Sequence, residues 1–194
     1  MKLRYLATVV LLALTTAVAH AQYGIYMNPI AIRVSNSKAD SGPFAFLGQH
    51  STSQVFYGYN LGGYYDFYHT GKLSTGFDMR FADLHANNGL LRDFMVGLRI
   101  SDAPFTLPIK PYVQLSGGIG TTKAPQSSVK VSKGIYQISG GADWTLAKHV
   151  DLRAIEIGYG SLTTVSSGTV GSAGNINIPS SKLLSFSSGL VFRF

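Results

Sequence analysis

The last twelve residues of the chain, Leu183–Phe194, most constrain what it can fold into. Every second position, counted back from the end, is aromatic or aliphatic apart from one serine: Phe194, Phe192, Leu190, Ser188, Phe186 and Leu184. The positions between them are mostly small or polar. Successive side chains of a strand point to opposite faces, so this stretch predicts a strand with one apolar face. A strand of a soluble β-sandwich shows the same alternation, so the class of sheet has to be decided from the rest of the chain.

The N-terminus predicts export from the cytoplasm. Lys2 and Arg4 are followed by an apolar stretch, residues 6–18, and by the small-x-small sequence Ala19-His20-Ala21. This is the pattern of a secretory signal peptide at residues 1–21. No basic residues follow the apolar stretch, which disfavours a retained anchor. Cleavage before Gln22 would leave one domain, residues 22–194, and would lower the formal net charge from +7 to +5.

Composition favours a membrane β-sheet over a soluble exported domain. The chain has no cysteine, so disulfides cannot stabilise it, and no apolar run of about 18 residues follows the signal peptide. Glycine is abundant, with 22 residues, tyrosine and phenylalanine contribute 11 each, and only 13% of residues are charged. Such a composition suits a sheet with an aromatic outer face and a glycine-lined interior.

Period-two alternation recurs along the mature chain and predicts eight strands in all. The clearest internal example places an apolar set outward, from Val55 to Phe67, and a second set inward: Phe56, Gly58, Asn60, Gly62, Tyr64, Asp66 and Tyr68. The first strand changes parity at Asn28-Pro29, which predicts a bulge because proline cannot donate to a ladder.

The lengths of the predicted connections separate the two ends of the sheet. Long connections are predicted at residues 35–53, 121–132 and 160–180, and a Pro-containing connection at 101–110. Short turns are predicted at residues 69–71, 87–89 and 147–149. Long and short connections therefore fall largely at opposite ends, as in membrane barrels. The competing class is a soluble exported sandwich or lipocalin-like binder.

The mature chain resembles the small eight-stranded outer-membrane β-barrels, a group that includes the OmpA transmembrane domain, OmpX-like proteins and the opacity proteins. The resemblance lies in the architecture, in Pro111-Tyr112-Val113 before a Gly-rich strand, and in the terminal aromatic residue. It implies an all-β, eight-stranded antiparallel transmembrane β-barrel, expected as a monomer in the outer membrane of a diderm bacterium. It also implies that Phe194 and Phe192 form the signal that the barrel-assembly machinery reads. A peptidoglycan-binding segment after Phe194 is not expected, so the tethering role of OmpA is not implied.

Charged residues at inward positions are the main candidates for a site. Five acids and three bases share this parity: Asp66, Asp78, Arg80, Asp93, Arg99, Asp143, Glu156 and Arg193. The interior of an eight-stranded barrel is just wide enough for side chains, and buried charges there have to pair. The set therefore predicts a salt-bridged plug, or alternatively the lining of a narrow conduit. Its expected centre is Arg80 with Asp78, Arg99 and Asp143.

Nothing in the sequence predicts catalysis, a metal site or a cofactor. The mature histidines, His50, His69, His85 and His149, all fall in predicted connections, and no strand-borne serine is clearly their partner. No two of them have the spacing of metal ligands. Gly117–Lys123 lacks the spacing of a phosphate-binding loop. An enzyme is therefore not expected.

Three lysines in or next to the predicted connection at 121–132 are candidates for a contact with lipopolysaccharide phosphates: Lys123, Lys130 and Lys133. Ordinary solvated lysines are the alternative. Nucleic acid is not expected as a partner of an exported barrel. The sequence thus predicts a non-enzymatic surface protein, acting in adhesion or envelope integrity through loops 35–53, 121–132 and 160–180. A narrow channel for ions or small solutes, lined by Arg80, Arg99, Asp143 and Glu156, is the alternative function.

Overall fold

The computed structural model describes residues 22–102, 108–164 and 180–194, and these residues form a closed β-barrel. Its eight strands are β1 Gln22–Ser35, β2 Ser53–Thr70, β3 Leu73–Ala86, β4 Gly89–Asp102, β5 Ile109–Lys123, β6 Lys130–Ala147, β7 Val150–Thr163 and β8 Ser180–Arg193. Each strand pairs antiparallel with its neighbours in sequence, and β1 pairs with β8 to close the ring. The all-β, eight-stranded prediction is confirmed. No helix within these three ranges is long and apolar enough to cross a membrane.

The barrel has two distinct ends. The terminal end holds both ends of the barrel domain, residues Gln22 and Phe194, and the turns at 71–72 and 148–149. The loop end holds the first loop, residues 36–52, the two-residue turn at 87–88 and the third loop, residues 124–129. Asn87 and Asn88 have φ of 44° and 66°, the left-handed pair that a two-residue type I′ hairpin turn requires. The predicted turn at 87–89 is therefore confirmed, as a turn of two residues.

The outward face of the barrel is apolar and rich in aromatic residues. Side chains such as Tyr57, Leu115 and Ile119 are about 60% exposed, at 65%, 61% and 59%. Exposure of so many large apolar side chains is typical of a wall that contacts lipid and unlike the surface of a soluble protein. The predicted assignment of these positions to the outer face agrees with their exposure.

The prediction of a bulge at Asn28-Pro29 is wrong. Exposure alternates through β1 without a change of parity, and its register with β2 has no shift. Tyr26 and Asn28 point inward, and so do Ile30 and Ile32. The apparent change of parity in the sequence reflects a change in the chemistry of the lumen, which is polar at one height and apolar at the next.

Bulges also occur where the sequence did not predict them, and two of them change the face on which a side chain lies. The β2–β3 register shifts between Asp66 and Tyr68, so Tyr68 is 59% exposed and lies outside, not in the lumen as predicted. The β7–β8 register shifts between Arg153 and Glu156, and Ala154 and Ile155 are both exposed. An extra residue in one strand lets the side chains on either side of it share one face. Arg153 and Glu156 therefore both point inward.

The strands extend further than predicted, so several connections are shorter. The third loop covers only residues 124–129, and Lys123 and Lys130 are paired strand residues. The strands β7 and β8 extend to Thr163 and from Ser180, within the predicted loop 160–180. Residues 165–179 of that loop, residues 103–107 of the predicted 101–110 connection and the predicted signal peptide lie outside the described residues, and the signal peptide stays a prediction.

The loop half of the lumen is filled by an apolar cluster. Its strand residues come from seven of the eight strands and are 0–8% exposed: Ile30, Ile32, Val34, Phe56, Ala82, Leu84, Leu91, Met95, Ile135, Leu162 and Leu183. The first loop adds Phe46 and Leu47 to this cluster, and the ring of Phe46 stacks on Phe56 with 5.0 Å between centroids. We call the strand residues of this cluster the apolar plug, and Phe46 and Leu47 its cap. The first loop therefore caps the barrel from its loop end.

Candidate functional site

The terminal half of the lumen contains a network of buried ion pairs. Arg80, on β3, lies near its middle: its Nε donates to Asp78 at 3.1 Å and its Nη1 to Glu156 at 2.8 Å. The Nη2 of Arg80 donates to the amide oxygen of Gln114 at 2.8 Å. Arg80 is 3% exposed and the two carboxylates are 1–2% exposed. Burying a charge is costly unless it is paired and hydrogen-bonded, as these three side chains are.

A second arginine, Arg153 on β7, connects this group to the rest of the network. Its Nε donates to Asp143 at 2.9 Å, and its Nη1 donates to Glu156 at 3.3 Å. Arg99, on β4, donates from Nη2 to the other oxygen of Asp143 at 2.9 Å. We call Arg80, Arg99 and Arg153 with Asp78, Asp143 and Glu156 the ion network. Its three positive and three negative charges balance.

Aromatic residues hold the guanidinium groups in place. The Arg99 guanidinium carbon lies 3.9 Å from the ring centroid of Tyr64 and 4.4 Å from that of Tyr112. Arg153 lies 4.4 Å and 4.7 Å from the rings of Tyr26 and Tyr112. The Tyr26 hydroxyl also donates to Asp78 at 2.8 Å, and the Tyr112 hydroxyl donates to Glu156 at 2.6 Å. Cation–π contacts and hydroxyl donors thus add to the ion pairs.

The predicted centre of the network differs from the observed one. Arg80 contacts Asp78 as expected, but Arg99 and Asp143 form a separate ion pair, which Arg153 joins to Glu156. Arg153 is fully buried and was not predicted. The bulge in β7 causes the error, because strict alternation from Ile155 and Ile157 assigns Arg153 to the outer face.

Asp93, Asp66 and Arg193 lie outside the ion network, although the sequence predicted them as part of it. Asp93 is 2% exposed, on the inward face of β4 between Leu91 and Met95 of the apolar plug. Neither carboxylate oxygen of Asp93 makes a hydrogen bond within the described part of the chain. Asp66 is buried towards the terminal end, and its Oδ1 is likewise unpartnered among the described residues.

Arg193 belongs to a smaller group at the terminal end. Its Nε lies 2.6 Å from Oδ2 of Asp151, which also accepts a hydrogen bond from Nζ of Lys110 at 3.2 Å. Asp151 is fully buried and was not predicted as a lumen residue. Arg193 is thus paired, as an inward charge should be, but not with the residues that the sequence suggested.

Two of the three candidate lysines lie side by side on the outer wall at the loop end. Lys123 and Lys130 are register partners at the last rung of the β5–β6 hairpin, and Lys133 lies opposite Gly120. Lys123, Lys130 and Arg92 line a cleft of about 630 Å³ beside the Asn87-Asn88 turn, and we call it the basic cleft. Lys133 does not line it. Arg92 is paired with Asp83 at 2.8 Å.

The histidines show no catalytic arrangement in the described ranges. Nε2 of His85 lies 3.1 Å from Asp83 on the outer wall, and Nδ1 of His149 lies 3.0 Å from the carbonyl oxygen of Arg193. No serine hydroxyl is hydrogen-bonded to a histidine ring in residues 22–102, 108–164 and 180–194. The same ranges contain no cluster of His, Asp or Glu that could hold a metal ion.

Phe194 lies against the first strand, next to the seam that closes the barrel. Its backbone N–H donates to the carbonyl oxygen of Tyr23 at 2.9 Å, and the two rings stack with 5.3 Å between centroids. Phe192 is outward-facing and 46% exposed. The role of both residues as an assembly signal stays a prediction.

Comparison with known proteins identifies the fold. No protein-family model and no curated protein matches the sequence. The barrel is similar to Neisserial surface protein A, with a TM-score of 0.55, 14% identity, and coverage of 89% of this chain and 97% of that chain. It is also similar to Ail, the attachment invasion locus protein of Yersinia pestis, with a TM-score of 0.53, 14% identity, and coverage of 90% and 99%. The predicted likeness to small eight-stranded outer-membrane β-barrels is confirmed at the level of the fold.

Proposed function

We propose that this outer-membrane barrel is a non-enzymatic surface platform whose loop end meets the environment of the cell. The observation that carries the proposal is the filled lumen: the apolar plug is 0–8% exposed and the ion network 0–3%. A lumen blocked by the apolar plug and the ion network leaves no continuous path for transport, so contacts with other molecules fall to the loops.

The loop end faces the outside of the cell in this proposal. Its connections include residues 36–52 and 124–129, whereas the described turns at the terminal end have two residues each, at 71–72 and 148–149. Outer-membrane barrels have short periplasmic turns and longer external loops. The first and third loops are also in contact, because Nε2 of Gln49 donates to Oε1 of Gln126 at 3.0 Å. They therefore present one joint surface.

The partner that best fits the loop end is an anionic glycan or glycolipid, with lipopolysaccharide phosphate as the first candidate. The basic cleft presents Lys123, Lys130 and Arg92 next to the apolar outer face of the barrel. Phe94, the outward residue of β4 that follows Arg92, already belongs to that apolar face and is exposed. Phosphates of the outer leaflet would lie at this height. A structure of Ail in complex with the heparin analogue sucrose octasulfate supports anionic recognition on this fold.

The double variant Lys123→Gln/Lys130→Gln tests this partner. Protein refolded in micelles should bind lipopolysaccharide in a salt-dependent way, and both the double variant and enzymatic removal of the lipid A phosphates should weaken binding about tenfold. Lys148→Gln, an exposed lysine at the terminal end, is the matched control and should bind like the wild type. Equal binding by the double variant and the control would contradict the assignment of the cleft.

A loop exchange tests the platform itself. Because Lys123 and Lys130 are register partners, an Asn-Gly turn can replace residues 124–129 without disturbing the ladder. Cells carrying this variant should insert the barrel normally but lose adhesion to glycan-coated surfaces. Adhesion that persists after this exchange, and after exchange of the other loops, would contradict the proposal.

A narrow channel is the second candidate function. The polar, charged terminal half of the lumen favours it, since Arg80, Arg99, Asp143 and Glu156 would line such a path. The apolar plug and its cap by Phe46 and Leu47 oppose it.

A further inference from the structure

A groove of about 680 Å³ lies in the outer wall of the barrel, across the seam where β1 and β8 close the ring. Its floor consists of short outward side chains, Pro29, Ala31 and Ser188. Its sides consist of large exposed ones, Tyr57, Tyr59 and Phe186. We call it the wall groove. Because it lies in the apolar outer face, it opens to the hydrocarbon layer of the membrane.

The floor of the wall groove is low and apolar for two reasons. The pairs on either side of it place Pro29 opposite Ser188 in the β1–β8 register, and proline has no backbone N–H that would need a partner there. The hydroxyl of Ser188 donates to the carbonyl oxygen of Arg153 at 3.1 Å, beside the bulge in β7. Polar groups that face lipid need such internal partners. The floor therefore presents an apolar surface to an acyl chain.

Two cations lie beyond the wall groove on the side of the loop end. Arg33 is the next outward residue of β1 after Ala31, and its register partner on β8 is Leu184. Lys182, the next outward residue of β8 towards the loop end, is therefore the diagonal neighbour of Arg33, at a backbone distance of about 7–8 Å. Both side chains are exposed, and neither forms an ion pair in the described part of the chain. Two long cationic side chains at this spacing reach one phosphate.

The height of these two cations matches the edge of the hydrocarbon layer. Tyr23 on β1 and Phe192 on β8 are exposed aromatic residues near the terminal end, and Arg33 and Lys182 each lie ten residues from them along the same strand. Ten residues cover about 33 Å along a strand, or about 25 Å along the axis of a barrel with strands tilted at about 40°. The apolar band of an outer-membrane barrel is about 25 Å tall. The cations therefore lie at the level of the lipid head groups, and the wall groove lies within the hydrocarbon layer.

We infer that the wall groove binds one phosphorylated lipid, with an acyl chain in the groove and the phosphate between Arg33 and Lys182. A lipid fits because the groove opens to hydrocarbon and the charged group at its end is cationic. With the loop end outside the cell, which rests on the proposed function, this lipid is the lipid A part of lipopolysaccharide. The site is separate from the basic cleft, which is built on β4 to β6, on the other side of the ring.

Fluorescence quenching by lipids with brominated acyl chains tests the inference. Trp144 is the single tryptophan of the chain and does not line the wall groove, so Tyr59→Trp combined with Trp144→Phe moves the only tryptophan to the side of the groove. In vesicles, brominated phosphatidic acid should quench this variant with an apparent affinity about tenfold above that of brominated phosphatidylcholine. Unlabelled lipid A should relieve the quenching, and lipid A without phosphates should not. Leu115→Trp with Trp144→Phe, on the opposite wall, is the matched control and should show no preference between the two brominated lipids.

Two further changes in the Tyr59→Trp background separate the head group from the chain. Arg33→Gln/Lys182→Gln removes two exposed charges and should abolish the preference for phosphatidic acid in a barrel that still folds. Ala31→Phe fills the floor of the groove and should lower the apparent affinity for phosphatidic acid about fivefold.

Four results would each overturn the inference: equal quenching by the two brominated lipids, an equal preference at the control position, a preference that survives loss of both cations or of the groove, and no displacement by lipid A. Both leaflets of the vesicle have the same composition, so the quenching does not depend on which end of the barrel faces outward. A failure here is therefore distinct from a failure of the proposed function, which the adhesion and lipopolysaccharide-binding experiments test.

Discussion

The two halves of the lumen are closed by different chemistry. The loop half is packed with aliphatic and aromatic side chains, and the first loop adds Phe46 and Leu47 as a cap. The terminal half is filled with arginines, carboxylates and tyrosines that bond to one another, and a polar cavity lies below them. Apolar packing tolerates substitutions that keep volume, whereas an ion network tolerates almost no loss of one partner. The difference indicates that one half seals the barrel by shape and the other by charge balance.

The largest effect on stability is expected in the terminal half, from Arg153→Ala, which removes one of the three arginines of the ion network. Arg153 bonds to both Asp143 and Glu156 at 1% exposure, so its loss leaves each of these buried carboxylates with one of its two arginine partners. We expect a decrease of about 3–5 kcal/mol in the free energy of unfolding, measured by urea titration in lipid vesicles. Arg92→Ala, at a solvent-exposed ion pair, is the control and should change it little. A small effect of Arg153→Ala would mean that charge balance does not hold this half together.

A somewhat smaller effect is expected in the loop half, from Leu84→Ala. Leu84 is fully buried in the apolar plug, and its truncation should cost about 2–5 kcal/mol through lost contacts and a cavity. Leu84→Met keeps most of the volume and should cost less than about 1.5 kcal/mol in the same urea titration. If the two variants were equally destabilised, shape would not be what closes this half.

The smallest effect on equilibrium stability is expected from deletion of Phe194, which lies outside both packed halves. Its ring is 58% exposed and stacks on Tyr23, a contact worth about 0.5–1.5 kcal/mol. The amount of barrel inserted in cells should nevertheless decrease several-fold, because we predict that this residue is read during assembly. Phe194→Trp keeps an aromatic ring and should restore insertion. Equal losses in cells and in refolding into micelles would contradict the assembly role.

Most of the fold could be predicted from alternation, because a sheet with one lipid-facing side repeats its chemistry every two residues. Alternation could not locate the bulges at Phe67 and at Ala154-Ile155. They place Tyr68 outside and Arg153 inside, opposite to the faces that strict alternation assigns to them. The signal for the second was present in the sequence. A charged residue such as Arg153 is costly on a lipid-facing position, so its outward parity itself indicates a bulge.

The sequence could predict which charged residues point into the lumen in most cases, but not which of them form ion pairs with one another. Parity places Asp93 and Arg80 on the same side of the sheet, but it does not give their height, and Asp93 lies among residues of the apolar plug. The cap was missed for a different reason. The first loop is polar on average, and the apolar run Phe44-Ala45-Phe46-Leu47 within it was the signal. An apolar run in a loop has to be buried somewhere, and here the barrel mouth buries it.

Recording from planar bilayers tests the central claim, that the apolar plug and the ion network together block the lumen, most directly. The wild-type barrel should leave the membrane almost silent, because the apolar plug offers no path for ions and the ion network leaves none of its charges unpaired. Neutralising Glu156 or Arg80 should lower stability and should not produce a selective current. Discrete openings of the wild type, with an ion selectivity that changes when Arg80 or Glu156 is neutralised, would contradict the account.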